Sequence, residues 1–442
     1  MRRAGFGATE AEVDTLSALD LEQIVAQLVD DVIVPDDSNP PAFFADPQYD
    51  PWEHEYLLQQ WWLNRMATSP KPLQEKMALF WHGHFCSENE KVGDMTLMYD
   101  QNKLWRDMGM GNFRTLVHTM SLQPAMLHYL DNSYNYAGNA NENFARELME
   151  LFTLGVNQYT QADILAAAKA WTGYNIDDND RTQFHYYAGR HDGSNKTFMG
   201  QTRAWTGPDI IDYILDENTA KKTVAAKFIT KKLWTFFAYP NPSQTIVDEL
   251  AQVFLDNDLE LQPLLTALFL RSEFYSTAAK QGLVRTPTEW VVAIMKFAEL
   301  EADWIDPQWF MDDMGQTLFE PPNVAGWKNN MYWLNSSALW QRADFAGHVV
   351  DRLFNWNNNV PAMPTTIRDT IMTTLNTGNS PTRFANAVDY ALSSFGVLTP
   401  SANTRRVMTA AVTRQYHTGN WDQRNWANLI ALVLMSPEFN LA

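Results

Sequence analysis

Proton chemistry is most legible in the stretch Asn141-Glu142-Asn143-Phe144-Ala145-Arg146-Glu147-Leu148-Met149-Glu150-Leu151. Phe144, Leu148, Leu151 and Gly155 recur at the spacing of one buried helix face. Asn139 and Asn141 are good N-caps, and Glu142 sits in the first turn, where a carboxylate suits the helix dipole. Glu142, Arg146 and Glu150 form an i, i+4, i+8 ladder of alternating sign, the pattern of a solvated salt-bridge face. Glu147 instead flanks the apolar stripe. A half-buried, unpaired carboxyl keeps its proton to higher pH, as a general acid must. Glu147 is therefore the candidate acid or base, with Arg146 as an orienting charge.

Histidines supply the candidate partners. Around Glu75 to Phe85, the residues Leu73, Met77, Phe80, Trp81 and His84 share one helical stripe, so His84 faces the core. His82, two positions away, lies roughly 200° around the helix. The two rings can meet at one point only if Gly83 ends the helix between them. If they do meet, His82 and His84 with Glu147 and Glu150 form a possible metal set on two facing helices. If they do not, they are two unrelated histidines, one of them buried and hydrogen-bonded.

Two loops could complete a site. Trp171-Thr172-Gly173 ends a helix and opens a long polar stretch at 174–207 that contains His185, Arg190, His191, Asp192 and Lys196. The His191-Asp192 pair can orient a proton carrier, although neighbours on a strand point to opposite faces. The run Asp177-Asp178-Asn179-Asp180 lacks the spacing of a calcium loop and is assigned no metal. Farther on, Glu320-Pro321-Pro322-Asn323-Val324-Ala325-Gly326-Trp327 is a stiff turn followed by Trp333-Leu334-Asn335-Ser336. Such a turn either locks a loop onto the core or holds Asn323, Trp327 and Asn335 toward a sugar or peptide, with Trp171 as a further stacking platform.

The elements that must position these residues are mostly helices. Thr9-Glu10-Ala11-Glu12 is a capping box that opens the first. Leu16, Leu19, Leu21, Ile24, Leu28 and Ile33 continue at roughly helical spacing, and a Pro- and Asp-rich loop spans 35–51 before an aromatic helix that begins at Trp52. Helical patterns then fall at about 71–85, 111–130, 141–155, 161–171, 208–216, 218–237, 244–255, 260–275, 285–300, 336–354, 365–376, 381–394, 403–415 and 423–436. Alternation near Phe184-His185-Tyr186-Tyr187 predicts a short β-hairpin inside the long loop at 174–207, and 301–335 reads as irregular. Leu268 to Phe274 is echoed weakly at Leu432 to Phe439. The fold expected is mainly α, a large multi-helix assembly over 1–442 with a single core, divisible at most into lobes 1–300 and 301–442.

Composition sets limits on function. A formal net charge of −19 repels phosphate backbones and argues against nucleic-acid binding. No stretch reaches the length of apolar residues needed to span a bilayer. The single cysteine, Cys86, rules out an intrachain disulfide. Hydrophobic residues at 45% support a sizeable core, and 17 Trp fit either a thick core or ring-stacking on a ligand. There is no charged segment followed by an apolar run near Met1, so no signal peptide is expected in this chain; Met1 leads straight into Arg2-Arg3-Ala4-Gly5-Phe6-Gly7, as a trimmed or mature form would.

Many of these segments, in this order, resemble the bacterial family catalogued as domain of unknown function 1800. The similarity rests on Arg2 to Thr9, Glu75 to Phe85, Gly111 to Asn132, Asn141 to Gly155 and Trp171 to Gly173. It continues through His191-Asp192, Lys227 to Phe237, Gly315 to Trp327 and Trp333 to Ser336. The resemblance implies a mostly helical fold, a periplasmic or extracellular location, and a second secreted protein as partner. It supplies no reaction, and it leaves any cofactor unknown.

Three functions are expected as alternatives. The first is an exported hydrolase-like enzyme acting on an extracellular polymer such as a glycan, with Glu147 as general acid or base, His84 or His191 as partner, and Trp171 and Trp327 as platforms. The second is a non-catalytic partner at the cell surface. The third is a metal-dependent, redox-capable enzyme built on His82, His84, Glu147 and Glu150.

Overall fold

The computed structural model of the chain describes residues 1–30, 40–50, 53–353, 365–376, 382–417 and 425–442. These residues fold mainly as α-helices, with two small antiparallel ribbons. Most of the sequence-derived helices are present: Thr9 caps Glu10–Ser17 in a box with Glu12, and Thr219–Phe237, Gln244–Asp256 and Ser336–Leu353 lie within a residue or two of their expected bounds. Much of the expected 35–51 loop, and Trp52, lie outside the described residues. The aromatic helix beyond it is Tyr56–Thr68.

Some bounds differ for physical reasons. The stretch expected as one helix over 111–130 is two, Phe113–Ser121 and Pro124–Tyr129, because Pro124 cannot continue the hydrogen-bond ladder and starts a new helix at its first turn. Helix Met95–Met108, capped by Asp94, has no counterpart among the predicted helices. The long polar stretch holds two ribbons rather than one hairpin: Tyr174–Ile176 pairs with Phe184–Tyr186, and Lys196–Phe198 with Gln201–Arg203. The echoing segments fold alike, each a helix end followed by one further turn, at Ser272–Tyr275 and Pro437–Asn440, with Phe274 and Phe439 buried.

One hydrophobic core runs from Ala4 to Phe439 and includes residues on both sides of position 300. The chain's two ends meet there: the Arg2 guanidinium donates to the Glu438 carbonyl at 2.8 Å, and Val284 bridges to Leu441. Among the described residues no helix is long and apolar enough to cross a membrane.

Helix Pro72–His84 passes through the middle of this core. All its side chains are buried except Pro72, and Gly83 has none to bury. In a helix enclosed on every side a polar group without a partner is costly, and among its buried side-chain atoms only His82 Nδ1 lacks one within the described residues. Gln74 donates to the Arg106 carbonyl at 3.0 Å. Glu75 accepts from Trp62 at 3.0 Å, from Arg65 at 2.6 Å and from Arg106 at 2.7 Å. Lys76 pairs with Glu289, whose other oxygen closes the capping box with Thr286. The last two polar side chains are His82 and His84.

Candidate functional site

Gly83 does not end the helix, so His82 and His84 leave it on opposite sides. His82 enters an aromatic cage of Trp62, Trp105, Phe319 and Trp327, with its centroid 5.0 to 5.2 Å from theirs. Its Nε2 accepts the Phe319 N–H at 3.0 Å, and burial pushes its pKa down to about 3. His84 faces the other way, stacked on Phe80, and its Nε2 lies 3.1 Å from the Phe152 carbonyl while its Nδ1 lies 2.7 Å from Lys232 Nζ. A carbonyl only accepts, so Nε2 carries the ring proton and Nδ1 is the acceptor. Burial first, then the Lys232 charge, holds His84 well below its ordinary pKa.

The Phe152 carbonyl is available because of a local irregularity. After helix Asn143–Glu147 the backbone widens into a π-turn, Leu148–Thr153. The N–H groups of Leu154 and Gly155 both return to the Met149 carbonyl, at 2.9 and 3.1 Å, and the Thr153 hydroxyl takes that of Leu148 at 2.6 Å. The later carbonyls are left for side chains. Phe152 O goes to His84, and Leu151 O lies 3.5 Å from Lys232 Nζ.

Lys232 sits on helix Thr219–Phe237 between Phe228 and Phe236, one turn to either side. Its ammonium lies 5.1 Å from the Phe228 ring centroid, and among the described residues no carboxylate is within ion-pair reach of it. Burial without a counter-charge pushes its pKa down to about 8. Lys232 and His84 line a cavity of about 410 Å³ whose other walls include Leu79, Phe80, Phe228, Phe236 and Trp327. Trp327 reaches it because Gly326, at φ +75°, brings its backbone against the Gly83 carbonyl; a Cβ there would stand 2.5 Å from that oxygen. Gly83 itself faces open space. Cys86 is buried against the His82 carbonyl, and burial raises its thiol to about 12, which leaves it un-ionised at neutral pH.

Of the sequence-predicted residues, His84 and Trp327 share this cavity. The segment bearing Glu147 contributes backbone carbonyls to His84 and Lys232 rather than its carboxylate. Glu147 is half-buried on another side, where burial and Glu150 raise its pKa. Arg146 pairs with Glu142 at 2.7 Å, the expected solvated pair, but Glu150 drops out of the ladder because the π-turn shifts its register, and it accepts from Tyr159 at 2.6 Å instead.

The other sequence candidates lie apart from this cavity. The metal set His82, His84, Glu147 and Glu150 does not assemble, since the two rings diverge and both His84 nitrogens are engaged; among the described residues no group of three or more His, Cys, Asp or Glu is placed to hold a metal. Trp171 is 1% exposed, packed on Phe144 and Tyr174, and offers no stacking face. His191 and Asp192 are pinned to Thr172, by its carbonyl at 2.9 Å and its hydroxyl at 2.8 Å, and Asp192 closes a turn onto Ser194. Asn323 and Asn335 are exposed and serve the backbone: Asn323 accepts from the Ala325 N–H and Asn335 caps Ser336–Leu353 through the Ala338 N–H, each at 2.9 Å. Lys232 was not among the sequence candidates. Its signal was a lysine at four-residue spacing between two phenylalanines, the mark of a cation set on an apolar flank.

Residues 1–441 match the model of a family described as a protein of unknown function, DUF1800. No curated protein and no solved structure matches the chain.

Proposed function

Since the chain belongs to the DUF1800 family, which assigns no reaction, we propose from its own geometry that it is an enzyme whose working centre is the His84–Lys232 cavity, with the Lys232 amine as the reacting group. The observation that carries this is Lys232 held on a neutral imidazole, in a cavity walled largely by aromatic rings whose lining has no carboxylate. The other buried lysines are more fully compensated, Lys76 by the Glu289 carboxylate and Lys196 by three backbone carbonyls. A lysine without a counter-ion and desolvated is instead the usual form of an amine nucleophile or base. The Phe152 carbonyl, His84 and Lys232 form a chain in which each group orients the next. Acylation by acetic anhydride, followed by peptide mass analysis across a pH series, tests the reading. The rate at Lys232 is expected to rise to half its maximum near pH 8, well below exposed lysines. A midpoint near pH 10 sinks it.

A second reading retains the carboxylate hydrolase on an extracellular glycan, because Glu147 has a raised pKa and no hydrogen-bond partner among the described residues. Release of reducing ends from bacterial wall glycan, lost in Glu147→Gln, tests it; no release by the unaltered chain removes it. Location outside the cytoplasm, beside a secreted partner, is carried forward from the family's habit and is tested by fractionating cells that express the full gene.

A further inference from the structure

We propose that the cavity captures an aldehyde or ketone on an aromatic or alkyl body, bound to Lys232 as an imine, with a carboxylate on the same molecule facing Lys231 at the rim. This rests on Lys232 being the reacting amine and adds the class of substrate. Among the described residues, the hydrogen-bonding groups at Nζ are both acceptors: His84 Nδ1 at 2.7 Å and, at a longer 3.5 Å, the Leu151 carbonyl. A neutral amine has two N–H bonds to give and one lone pair to keep. Two acceptors take the N–H bonds and leave the lone pair for whatever occupies the cavity. A pocket built to hold an anion at this point would surround it with donors. Here His84 cannot donate from Nδ1, because its only proton is fixed on Nε2 by Phe152. An electrophile suits this geometry better than an anion does.

The walls say what the electrophile is attached to. Leu79, Phe80, Phe228, Phe236 and Trp327 form its apolar and aromatic wall, Thr235, Thr286, Gln316 and Asn329 add a few polar groups, and about 410 Å³ is the size of a small-molecule site. Lys231 lines the same cavity, is exposed, and has no ion-pair partner among the described residues. The cavity's lining thus holds two lysines and no aspartate or glutamate, which favours an anionic end on the ligand.

The step balances without a co-reactant. The Nζ lone pair attacks the carbonyl carbon and forms the C–N bond, and the C=O π pair moves to oxygen, which takes up the proton released by nitrogen. The carbinolamine then loses that oxygen as water while the nitrogen lone pair forms C=N. Amine and carbonyl compound give imine and one water, with no net oxidation.

Reductive trapping tests this. The chain is incubated at pH 7 with 4-carboxybenzaldehyde or with benzaldehyde, each with sodium cyanoborohydride, and digested for mass analysis. The expected adduct is one benzylic group on Lys232, formed roughly tenfold faster than on exposed lysines: a pKa lower by about two and a half units leaves a few-hundredfold more of it unprotonated at pH 7, and the weaker nucleophilicity of a less basic amine offsets most of that gain. Lys231→Ala should slow the carboxylated probe and leave benzaldehyde unchanged. Lys232→Arg should abolish the selective adduct while its thermal melt shows the fold retained. Labelling spread evenly over surface lysines overturns the carbonyl reading. If Lys232 is then still acylated by acetic anhydride with a midpoint near pH 8, the amine centre stands and only the substrate class falls. If it is not, both fall.

Discussion

Lys232 Nζ donates to His84 Nδ1 across 2.7 Å, an ammonium placed against a neutral ring that can neither ionise readily nor supply a counter-charge. Folding therefore lowers the proton affinity of this amine, from an ordinary 10.5 to about 8. Between those values the unfolded chain binds more protons than the folded one, so this group makes stability rise with pH. Its cost is present in full below about pH 8 and fades toward 10.5. Lys232→Met is expected to raise stability at pH 7 by on the order of 2–3 kcal/mol. The gain should disappear by about pH 10.5. Urea midpoints at the two pH values decide it, and an equal gain at both would mean that packing rather than charge is responsible.

The two glycines where the cavity wall closes should behave oppositely. Gly83 faces open space in a regular helix, so Gly83→Ala is expected to change stability by less than about 1 kcal/mol, in the favourable direction. Gly326 has φ +75°, and a Cβ there meets the Gly83 carbonyl at 2.5 Å and the Cys86 sulfur at 3.0 Å. Gly326→Ala is expected to cost about 1–3 kcal/mol. It should also move Trp327, which melts together with a change in tryptophan fluorescence would report. Equal effects from the two substitutions would show that the loop does not rest on the helix as described.

Periodicity made most helices legible, because a stripe such as Phe144, Leu148 and Leu151 reports its own burial. It also placed His84 on the core side correctly. Two things were not legible. Helix Met95–Met108 carries Gln101, Asn102 and Arg106 on buried positions, so a hydrophobic pattern understates it. The π-turn at Leu148–Thr153 depends on hydrogen bonds that skip a residue, and no local residue type announces that. For the same reason the carbonyls of Leu151 and Phe152, which reach Lys232 and His84, were not legible beside Glu147. Trp171 looked like a platform because a tryptophan beside a polar loop reads the same whether its ring faces solvent or core; Gly207 packs against it, and only the fold shows that.

Glu75 is the residue whose loss should be felt most. It is fully buried and shared by Trp62, Arg65 and Arg106. Glu75→Ala leaves the buried Arg106 guanidinium without its carboxylate and should cost about 3–5 kcal/mol. Arg106→Ala should cost less, since Arg65 still neutralises Glu75, and Arg65→Ala least, since its side chain is 22% exposed. Chemical denaturation of the three variants checks the order. A ranking with Arg65→Ala first would place the working ion pair at the surface instead.

Glu320 supplies a pH dependence of the opposite sign. Its carboxyl accepts the Glu90 N–H at 3.3 Å but stands near Glu55, Glu88 and Glu90, and burial followed by these like charges raises its pKa to about 7. Between about 4.5 and 7 the folded chain binds more protons than the unfolded one, so this group makes stability fall as pH rises through that window. Above pH 7 the cost is complete. Glu320→Gln keeps an acceptor for the Glu90 N–H and removes the charge. It should therefore leave stability near pH 4 unchanged and raise it at pH 8 by about 1–3 kcal/mol, the lower end reflecting partial solvent screening. Thermal melts at pH 4, 6 and 8 should show the difference from the unaltered chain opening with pH. A constant offset across the series would mean that Glu320 is ionised throughout and that the surrounding carboxylates do not act on it.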